Sequence, residues 1–587
     1  MTIQRWIAAA TGLAVVLTLS ACTSSRLVAG SEVRIAVTAP LTSLNPASQA
    51  GRTSSTAAEV AELTGTGFGF RDASGELVLD ESFGTAEIFA LDPLTVQYTI
   101  APGARWSDGV AADAVDLLLT WAATSGALSD PGAGAEGADE PDPGVAFDGT
   151  ASGGIAFATQ TPQLGGERVI FVHFDRYLPD WQTVLAPGVA AHALARFALD
   201  LEPEAPAAEA KAAVSDAILT RDRVALAALA EAWNHAFDVD DGILPEPLLR
   251  VANGPYVVDE LAGDDIVLRP NPEYDGDRRP AFETVRLRVV ADPAEAIDLL
   301  RSGELDVVTA RLGDTTGDAL TGLDGVRLEY GVETRIEHLD LQFDDARSGV
   351  FDDPLVREAF LLTVPRTALV SELLGEFAPH AVPLESFVLG ETSPDYAAVA
   401  AGNGSARFAE PDLAEAERLL AEAGNSDPRV CILFDADDPR RELAFSLIAE
   451  SAADAGFRVS DCSRADWQSA LGVAGAYDAA LFAWDPQVLG ADALGAVFRS
   501  DSAIANLNRY ANDEADRLID LLATPLTPEE RAAALADLDA ELWSDAYGVP
   551  LFSYPTATLV RDTIESVSPS PFTRGIAGNA WEWRPAP

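Results

Sequence analysis

Apolar and polar residues follow two repeating patterns along the chain, one typical of strands and one typical of helices. Short apolar runs at residues 33–37 and 95–100 predict β-strands, while residues 112–124 predict a helix. Across residues 412–424, apolar side chains recur on one helical face, and Gly424 ends the run. Strands and helices alternate through the second half of the chain, which predicts an α/β fold.

Two later helices carry clear start signals. Asp353 offers a side-chain N-cap, and Pro354 after it suits the first helical position. Thr527, Pro528 and Glu530 form the sequence pattern of a capping box with a proline at its first helical position. We therefore expect helices to begin directly after Asp353 and Thr527.

The N-terminal residues have the composition of an export signal. Arg5 precedes an apolar stretch at residues 7–19, and small residues follow it. The stretch is shorter than the ~20 residues that span a bilayer as a helix. We interpret residues 1–21 as a signal peptide that is removed from the mature protein.

The signal ends at a cysteine that we expect to carry lipid. The segment from Leu19 to Cys22 resembles a bacterial lipobox, in which the cysteine is acylated and becomes the mature N-terminus. Residues 22–30 would then be a lipid-anchored tether, and the protein would lie outside the cytoplasm at the outer face of the cell membrane. The alternative is an ordinary signal peptide with an incidental cysteine.

Charge along the chain is strongly acidic. The 587 residues include 93 Asp and Glu against 39 Lys and Arg, a formal net charge of -54. Nucleic-acid binding depends on clusters of Lys and Arg, so we exclude nucleic acid as a partner. We interpret the acidic surface as a source of solubility for an exported protein.

Two cysteines follow the lipobox, Cys431 and Cys462. An even pair in an exported chain predicts one disulfide. The two cysteines lie at strand-like segments separated by a helix, and a parallel pairing of those strands could hold them too far apart to bridge. The alternative is therefore a pair of buried free thiols.

The sequence lacks the local motifs of common catalytic and metal sites. It contains no G-x-S-x-G, no H-E-x-x-H and no Walker loop. No two of its five histidines are spaced three to five residues apart, which argues against a local metal site. Together with the missing motifs, this leads us to expect no metal, no cofactor and no catalytic residue. An exported hydrolase assembled from distant residues remains the alternative from another functional class.

Several segments nevertheless occur in one characteristic order. They are residues 106–121, 253–258, 268–274, 300–307, 356–360 with Arg366, 414–424, 506–520 and 543–552. This series resembles the extracellular solute-binding proteins of ABC importers, family 5, the oligopeptide- and dipeptide-binding group. It is most similar to the actinobacterial lipoprotein branch, and the resemblance covers nearly all of the mature chain.

The resemblance implies a two-lobed fold like that of periplasmic binding proteins, with an extra subdomain and a ligand cleft between the lobes. Lobe I would comprise residues 31–62, 155–288 and 553–587. The subdomain would comprise residues 63–154, including a Gly-, Asp- and Pro-rich loop at 126–154, and lobe II would comprise residues 289–552.

The resemblance also implies ligand contacts. Peptide binders of this family pair an Asp, about three residues after a Trp, with the ligand's α-ammonium group. Here the tryptophan is Trp484, but Gln487 stands at the anchor position and Asp485 follows the Trp directly. We therefore expect Trp484 and Asp485 to contact ligand, with Asn253 and Tyr256 as further candidates.

The predicted function is that of a monomeric, lipid-anchored binding protein of an ABC importer. It would capture peptides and deliver them to a permease in the membrane. The alternative within binding proteins is a non-peptide solute such as a sugar, an opine or a metal chelate.

Overall fold

The computed structural model describes residues 27–72, 75–130, 144–149, 153–199, 201–202, 204–312, 318–320, 322–484, 493–570, 572 and 575–586. The predicted signal peptide, Cys22 and Asp485 lie outside these ranges. Within them, no helix is both long enough and apolar enough to span a membrane.

The described residues form strands and helices that alternate through most of the chain. The strands are β1 Val28–Val37, β2 Gly69–Arg71, β3 Leu77–Leu79, β4 Gly84–Leu91, β5 Leu94–Ile100, β6 Gln163–Gly166, β7 Val169–Phe174, β8 Tyr256–Ala262, β9 Asp265–Pro270, β10 Phe282–Val289, β11 Val307–Arg311, β12 Val326–Leu341, β13 Arg429–Leu433, β14 Arg458–Asp461, β15 Ala479–Trp484, β16 Gly548–Arg561, β17 Ile564–Glu565 and β18 Arg584–Pro585. The helices are α1 Gln49–Arg52, α2 Ser55–Thr64, α3 Ala114–Thr124, α4 Ala191–Ala198, α5 Ala207–Thr220, α6 Arg223–His235, α7 Pro293–Ser302, α8 Pro354–Leu361, α9 Arg366–Leu374, α10 Tyr396–Ala400, α11 Leu413–Ala423, α12 Pro439–Asp454, α13 Ala493–Phe498, α14 Asp513–Leu522 and α15 Pro528–Ser544. The predicted α/β class is confirmed.

The predicted helix boundaries are also confirmed. The Asp353 side chain accepts a hydrogen bond from the Leu355 N–H and caps α8, with Pro354 in the first turn. Thr527 and Glu530 form both hydrogen bonds of the capping box at α15. Gly424 ends α11 with a φ of 69°, a left-handed conformation that glycine adopts without strain.

A ten-stranded sheet runs through the molecule in the order β14-β13-β15-β12-β16-β11-β1-β10-β9-β8. β1 pairs in parallel with β10, and the long strands β12 and β16 pair antiparallel along most of their length. One hydrophobic core packs helices α7, α8, α9, α11 and α12 against the β12 side of this sheet. A second core packs α2 and the C-terminal segment against β1, β8, β9 and β10. The sheet is therefore shared by two separately packed halves.

A separate four-stranded antiparallel sheet, in the order β4-β5-β7-β6, forms the subdomain. Its core includes α3, α4, α5 and α6 and extends from Phe68 to Leu249. We expected this unit to end at residue 154, but the packing continues about one hundred residues further along the chain. The difference arises because strands β6 and β7 join the same sheet and helices α4, α5 and α6 belong to the same hydrophobic core.

One buried carboxylate organises this subdomain. Asp116 accepts hydrogen bonds from Trp106 Nε1, the Asp113 N–H and the Ala191 N–H at 2.9–3.2 Å, and from Lys211 Nζ at 2.7 Å. Lys211 is the only lysine in the chain. Trp106, Asp113 and Asp116 belong to the first of the ordered sequence segments, so that segment has a structural role here.

Cys431 on β13 and Cys462 directly after β14 are joined by a disulfide, with their Cα atoms 5.7 Å apart. The two strands pair in parallel, with Cys431 opposite Ser460. Cys462 lies two residues past that position and turns back towards β13, where its N–H donates to the Ile432 carbonyl at 3.0 Å.

We predict that Lys211→Met destabilises the subdomain by about 3 kcal/mol, because it leaves the buried Asp116 carboxylate without its cationic partner. The measurement is urea unfolding followed by tryptophan fluorescence. The matched control is Arg418→Met, which removes a cation from the exposed ion pairs of α11 with Glu415 and Glu422. Equal shifts in the two variants would contradict the special role of the buried pair.

Candidate ligand-binding site

An aromatic pocket lies where β12, β15 and β16 meet helix α13. It is lined by Ile336, His338, Asp340, Phe387, Val388, Trp484, Ala493, Leu494, Phe498, Tyr547 and Pro550. Its volume is about 120 Å³, whereas one water needs only ~10–15 Å³ measured in this way. The space therefore suits a small molecule or one residue of a larger ligand.

Aromatic rings form most of the pocket wall. Trp484 is the last residue of β15 and pairs with Ile336 of β12. Its ring centroid lies 5.7 Å from that of Phe498, which lies 5.2 Å from that of Tyr547. The Phe387 ring contacts Tyr547 from another side at 5.5 Å. Such rings offer large apolar surface and rigid contacts to a ligand.

The pocket has one polar edge, which strand β12 supplies. His338 and Asp340 alternate with Leu339 and Leu341, so their side chains project from the same face of the strand as Ile336. Both polar side chains are buried, at 3% and 4% exposure. His338 Nε2 lies 3.4 Å from Asp340 Oδ2, and the Tyr547 hydroxyl donates to the same oxygen at 3.4 Å.

Tyr547 is a neutral donor at this edge. Burial raises the pKa of its hydroxyl well above the ordinary value of 10, and the negative charge of Asp340 adds to the increase. The hydroxyl therefore keeps its proton at physiological pH and presents an O–H rather than a phenolate. The pocket consequently contains one acidic side chain, one imidazole and one neutral hydroxyl.

A heavily anchored loop, residues 384–389, forms the rim that carries Phe387 and Val388. The Phe387 N–H donates to Asp539 Oδ1 at 2.8 Å, and Asn403 Nδ2 donates to Asp539 Oδ2 at 2.6 Å. Asn403 Nδ2 and Trp543 Nε1 also donate to the Glu385 carbonyl. Burial raises the pKa of Asp539 to about 6, and the hydrogen bonds that Asp539 accepts from Asn403 and Phe387 oppose the increase. Helix α15 thus fixes the rim through the buried Asp539 carboxylate and the Trp543 indole.

Asp501, just after helix α13, interacts electrostatically with Arg176 from the N-terminal half of the chain. Asp501 follows α13, which lines the pocket, and Arg176 follows β7 in the subdomain. The pKa of Asp501 is lowered by its hydrogen bond with Arg499, by the charge of Arg499 and, to a smaller extent, by the charge of Arg176. All lining residues themselves fall between 336 and 550, inside the predicted second lobe.

Of the sequence-predicted site residues, the structure places Trp484 in this pocket. Asp485 lies outside the described residues, directly after Trp484. Asn253 hydrogen-bonds the backbone N–H and carbonyl of Thr66, at 3.2 and 3.1 Å, and lines a smaller pocket of about 60 Å³. The Tyr256 hydroxyl is buried against the backbone of Phe282. The predicted ligand contacts of Asn253 and Tyr256 stay predictions, and neither residue lines the aromatic pocket.

Sequence reasoning missed the polar edge. From the sequence, no histidine is assigned a site role, but His338 lines the pocket with Asp340. The available signal was the alternation of His338, Asp340 and Gln342 with two leucines in a segment that is otherwise apolar enough to be buried. The described residues contain no group of three or more His, Cys, Asp or Glu side chains placed to hold a metal ion.

The fold and the pocket define a solute-binding protein of the two-lobed periplasmic class. The family description "Bacterial extracellular solute-binding proteins, family 5 Middle" matches residues 90–506, and the chain belongs to this family of ABC-transporter binding proteins. The family resemblance inferred from the ordered segments is therefore confirmed.

Individual proteins extend this similarity over the whole chain. An uncharacterized lipoprotein of Mycobacterium tuberculosis is 27% identical over 96% of this chain and 95% of its own length. The solved structure of the periplasmic EDTA-binding protein EppA has a TM-score of 0.72 at 21% identity, covering 95% of this chain and 97% of that one. The oligopeptide-binding protein AppA from Bacillus subtilis, solved with a nonapeptide, has a TM-score of 0.62 at 15% identity, covering 95% and 99%.

We predict that Asp539→Ala destabilises the protein by about 2 kcal/mol, because the buried N–H groups of Phe387 and Asn403 lose their acceptor. The measurement is thermal unfolding followed by circular dichroism. The matched control is Asp537→Ala, the same substitution at an exposed position two residues away on α15. If both variants melt at the wild-type temperature, the carboxylate does not fix the rim.

Proposed function

We propose that this chain is a lipid-anchored receptor that captures peptides outside the cytoplasm and delivers them to an ABC permease. The observation that carries the proposal is the aromatic pocket at Trp484. Its apolar walls suit a side chain of the ligand, and its polar edge suits a ligand's backbone or terminal group. Family membership supports the transport role, and the lipoprotein name of the mycobacterial relative supports the anchor.

Within this proposal, Trp484 is the apolar contact and Asp485 is a candidate partner for a peptide ammonium group. The protein binds its ligand as a monomer, and the ligand is enclosed between the two lobes. The transport cycle needs no chemistry on the ligand, so the chain is a carrier and not an enzyme.

The second candidate is a receptor for a non-peptide solute, such as a sugar, an opine or a metal chelate. The pocket volume favours it, because about 120 Å³ is little space for an extended oligopeptide. The structural similarity to the periplasmic EDTA-binding protein EppA also supports a non-peptide ligand.

We predict that peptides from a library raise the thermal midpoint of the wild-type protein by mass action. We expect Trp484→Ala to weaken the affinity for those peptides more than tenfold. A ligand at one hundred times its dissociation constant stabilises a protein by ~2.7 kcal/mol, which a thermal-shift assay detects. The matched control is Trp467→Ala, a half-buried tryptophan that contacts Phe482 and Arg441 but does not line the pocket. Binding of sugars, opines or metal chelates with no response to any peptide would replace the peptide proposal by the second candidate.

The anchor is tested separately. We predict that Cys22→Ala moves the protein from the membrane fraction to the soluble fraction with its ligand affinity unchanged, because several acyl chains hold a protein far more firmly than one. Immunoblotting of the two fractions measures the distribution. A variant that stays in the membrane fraction would show that Cys22 is incidental.

A further inference from the structure

The polar edge of the aromatic pocket contains two buried acceptors that the protein does not satisfy. Among the described residues, Asp340 Oδ1 and His338 Nε2 have no hydrogen-bond partner. Both side chains are more than nine-tenths buried, and both line the pocket. Buried polar groups are normally hydrogen-bonded, because leaving one without a partner costs free energy.

The hydrogen bonds that these side chains do form indicate what is missing. His338 Nδ1 donates to the Ile336 carbonyl at 3.1 Å, and in this tautomer Nε2 presents a lone pair to the pocket. Asp340 Oδ2 accepts from Tyr547, and a carboxylate oxygen can only accept further bonds. Two acceptors therefore converge, with Nε2 and Oδ2 3.4 Å apart. A group with several N–H donors satisfies both at once.

The charge at the edge points in the same direction. In the part of the chain that the structure describes, no arginine or lysine forms an ion pair with Asp340. A carboxylate in an apolar pocket stabilises a cation more strongly than one in water, because the local dielectric constant is low. A cationic head can also lie against aromatic faces, and Trp484 lines the same pocket.

We propose that Asp340 and His338 form a subsite for a primary ammonium group attached to an apolar body, with the apolar body against Trp484, Phe387 and Phe498. The ammonium donates to Asp340 Oδ1 and His338 Nε2. This inference rests on the proposed function, because it names the chemical class that the receptor captures. It places the cation partner on β12, in addition to or instead of Asp485.

Three probes with the same aromatic body test the subsite: phenethylamine, 2-phenylethanol and 3-phenylpropionate. Isothermal titration of the full chain gives the affinity of each. We expect the wild type to bind the amine at least tenfold more tightly than the alcohol, and the carboxylate more weakly than the alcohol. Equal affinity for the amine and the alcohol, or binding of none of the three, would overturn the subsite.

Asp340→Asn is the decisive variant, because it keeps the shape of the side chain and removes its charge. We expect it to abolish the tenfold preference for the amine and to leave the affinity for the alcohol within twofold. Asp485→Asn is the matched comparison. If the preference survives in Asp340→Asn and is lost in Asp485→Asn, the cation partner is Asp485 and the inference is wrong.

His338→Gln tests the same subsite from its other acceptor and covers the case in which Asp340→Asn does not fold. We expect it to weaken amine binding at least threefold with no change for the alcohol, and unchanged amine binding would count against the subsite. The peptide proposal fails independently: amine binding without any peptide binding would keep the subsite and remove peptides as ligands. Peptide binding that Asp340→Asn leaves unchanged would keep the function and remove the subsite.

Discussion

The two halves of the ten-stranded sheet meet at one narrow junction, and the arrangement of both lobes depends on it. In the described residues β1 pairs with β11 at Ile35 and Val307, compared with seven paired positions between β1 and β10. Beside that pair, Arg34 donates from Nε and Nη2 to the two oxygens of Asp306 at 2.8 and 2.9 Å, and its backbone N–H donates to Oδ2 at 2.9 Å. The hydrogen bond with Asp306 raises the pKa of Arg34. The Asp306 backbone bonds Arg34 and Arg561, so this residue links β1, β11 and β16.

This junction explains how one sheet serves two lobes. On its β16 side, β12 pairs with β16 along most of its length and with β15 from Ile336 to Leu341, and these strands carry the larger core. On its β1 side, the paired strands β1, β10, β9 and β8 carry a core of their own. Few ladder bonds join the halves, and a bidentate Arg–carboxylate pair supplies a directional contact where the ladder is shortest. The described residues that line the aromatic pocket all lie on the β16 side of this junction.

Local features of this fold could be predicted from the sequence, because local chemistry decides them. The capping residues Asp353 and Thr527 and the terminating Gly424 act within a few residues of themselves, and each was correctly identified. The extent of the subdomain core is not a local property, because helices α4 to α6 share one hydrophobic core with a sheet whose first strand lies about one hundred residues earlier. The polar edge was missed for the same reason. Only the pairing of β12 with β15 brings Trp484 beside Ile336 and His338. The residues around either segment do not predict which positions of the two strands pair.

Two buried carboxylates in this chain differ in whether the protein itself satisfies their hydrogen bonds. Asp116 accepts from Trp106, Lys211 and two backbone N–H groups, so the protein itself satisfies its charge. Asp340 is buried to a similar degree, yet one of its oxygens has no partner in the described residues, and the other shares a single long hydrogen bond. Both residues look alike in a chain with 93 acidic side chains. Leaving a buried carboxylate oxygen without a partner costs free energy, and a bound cation would recover it.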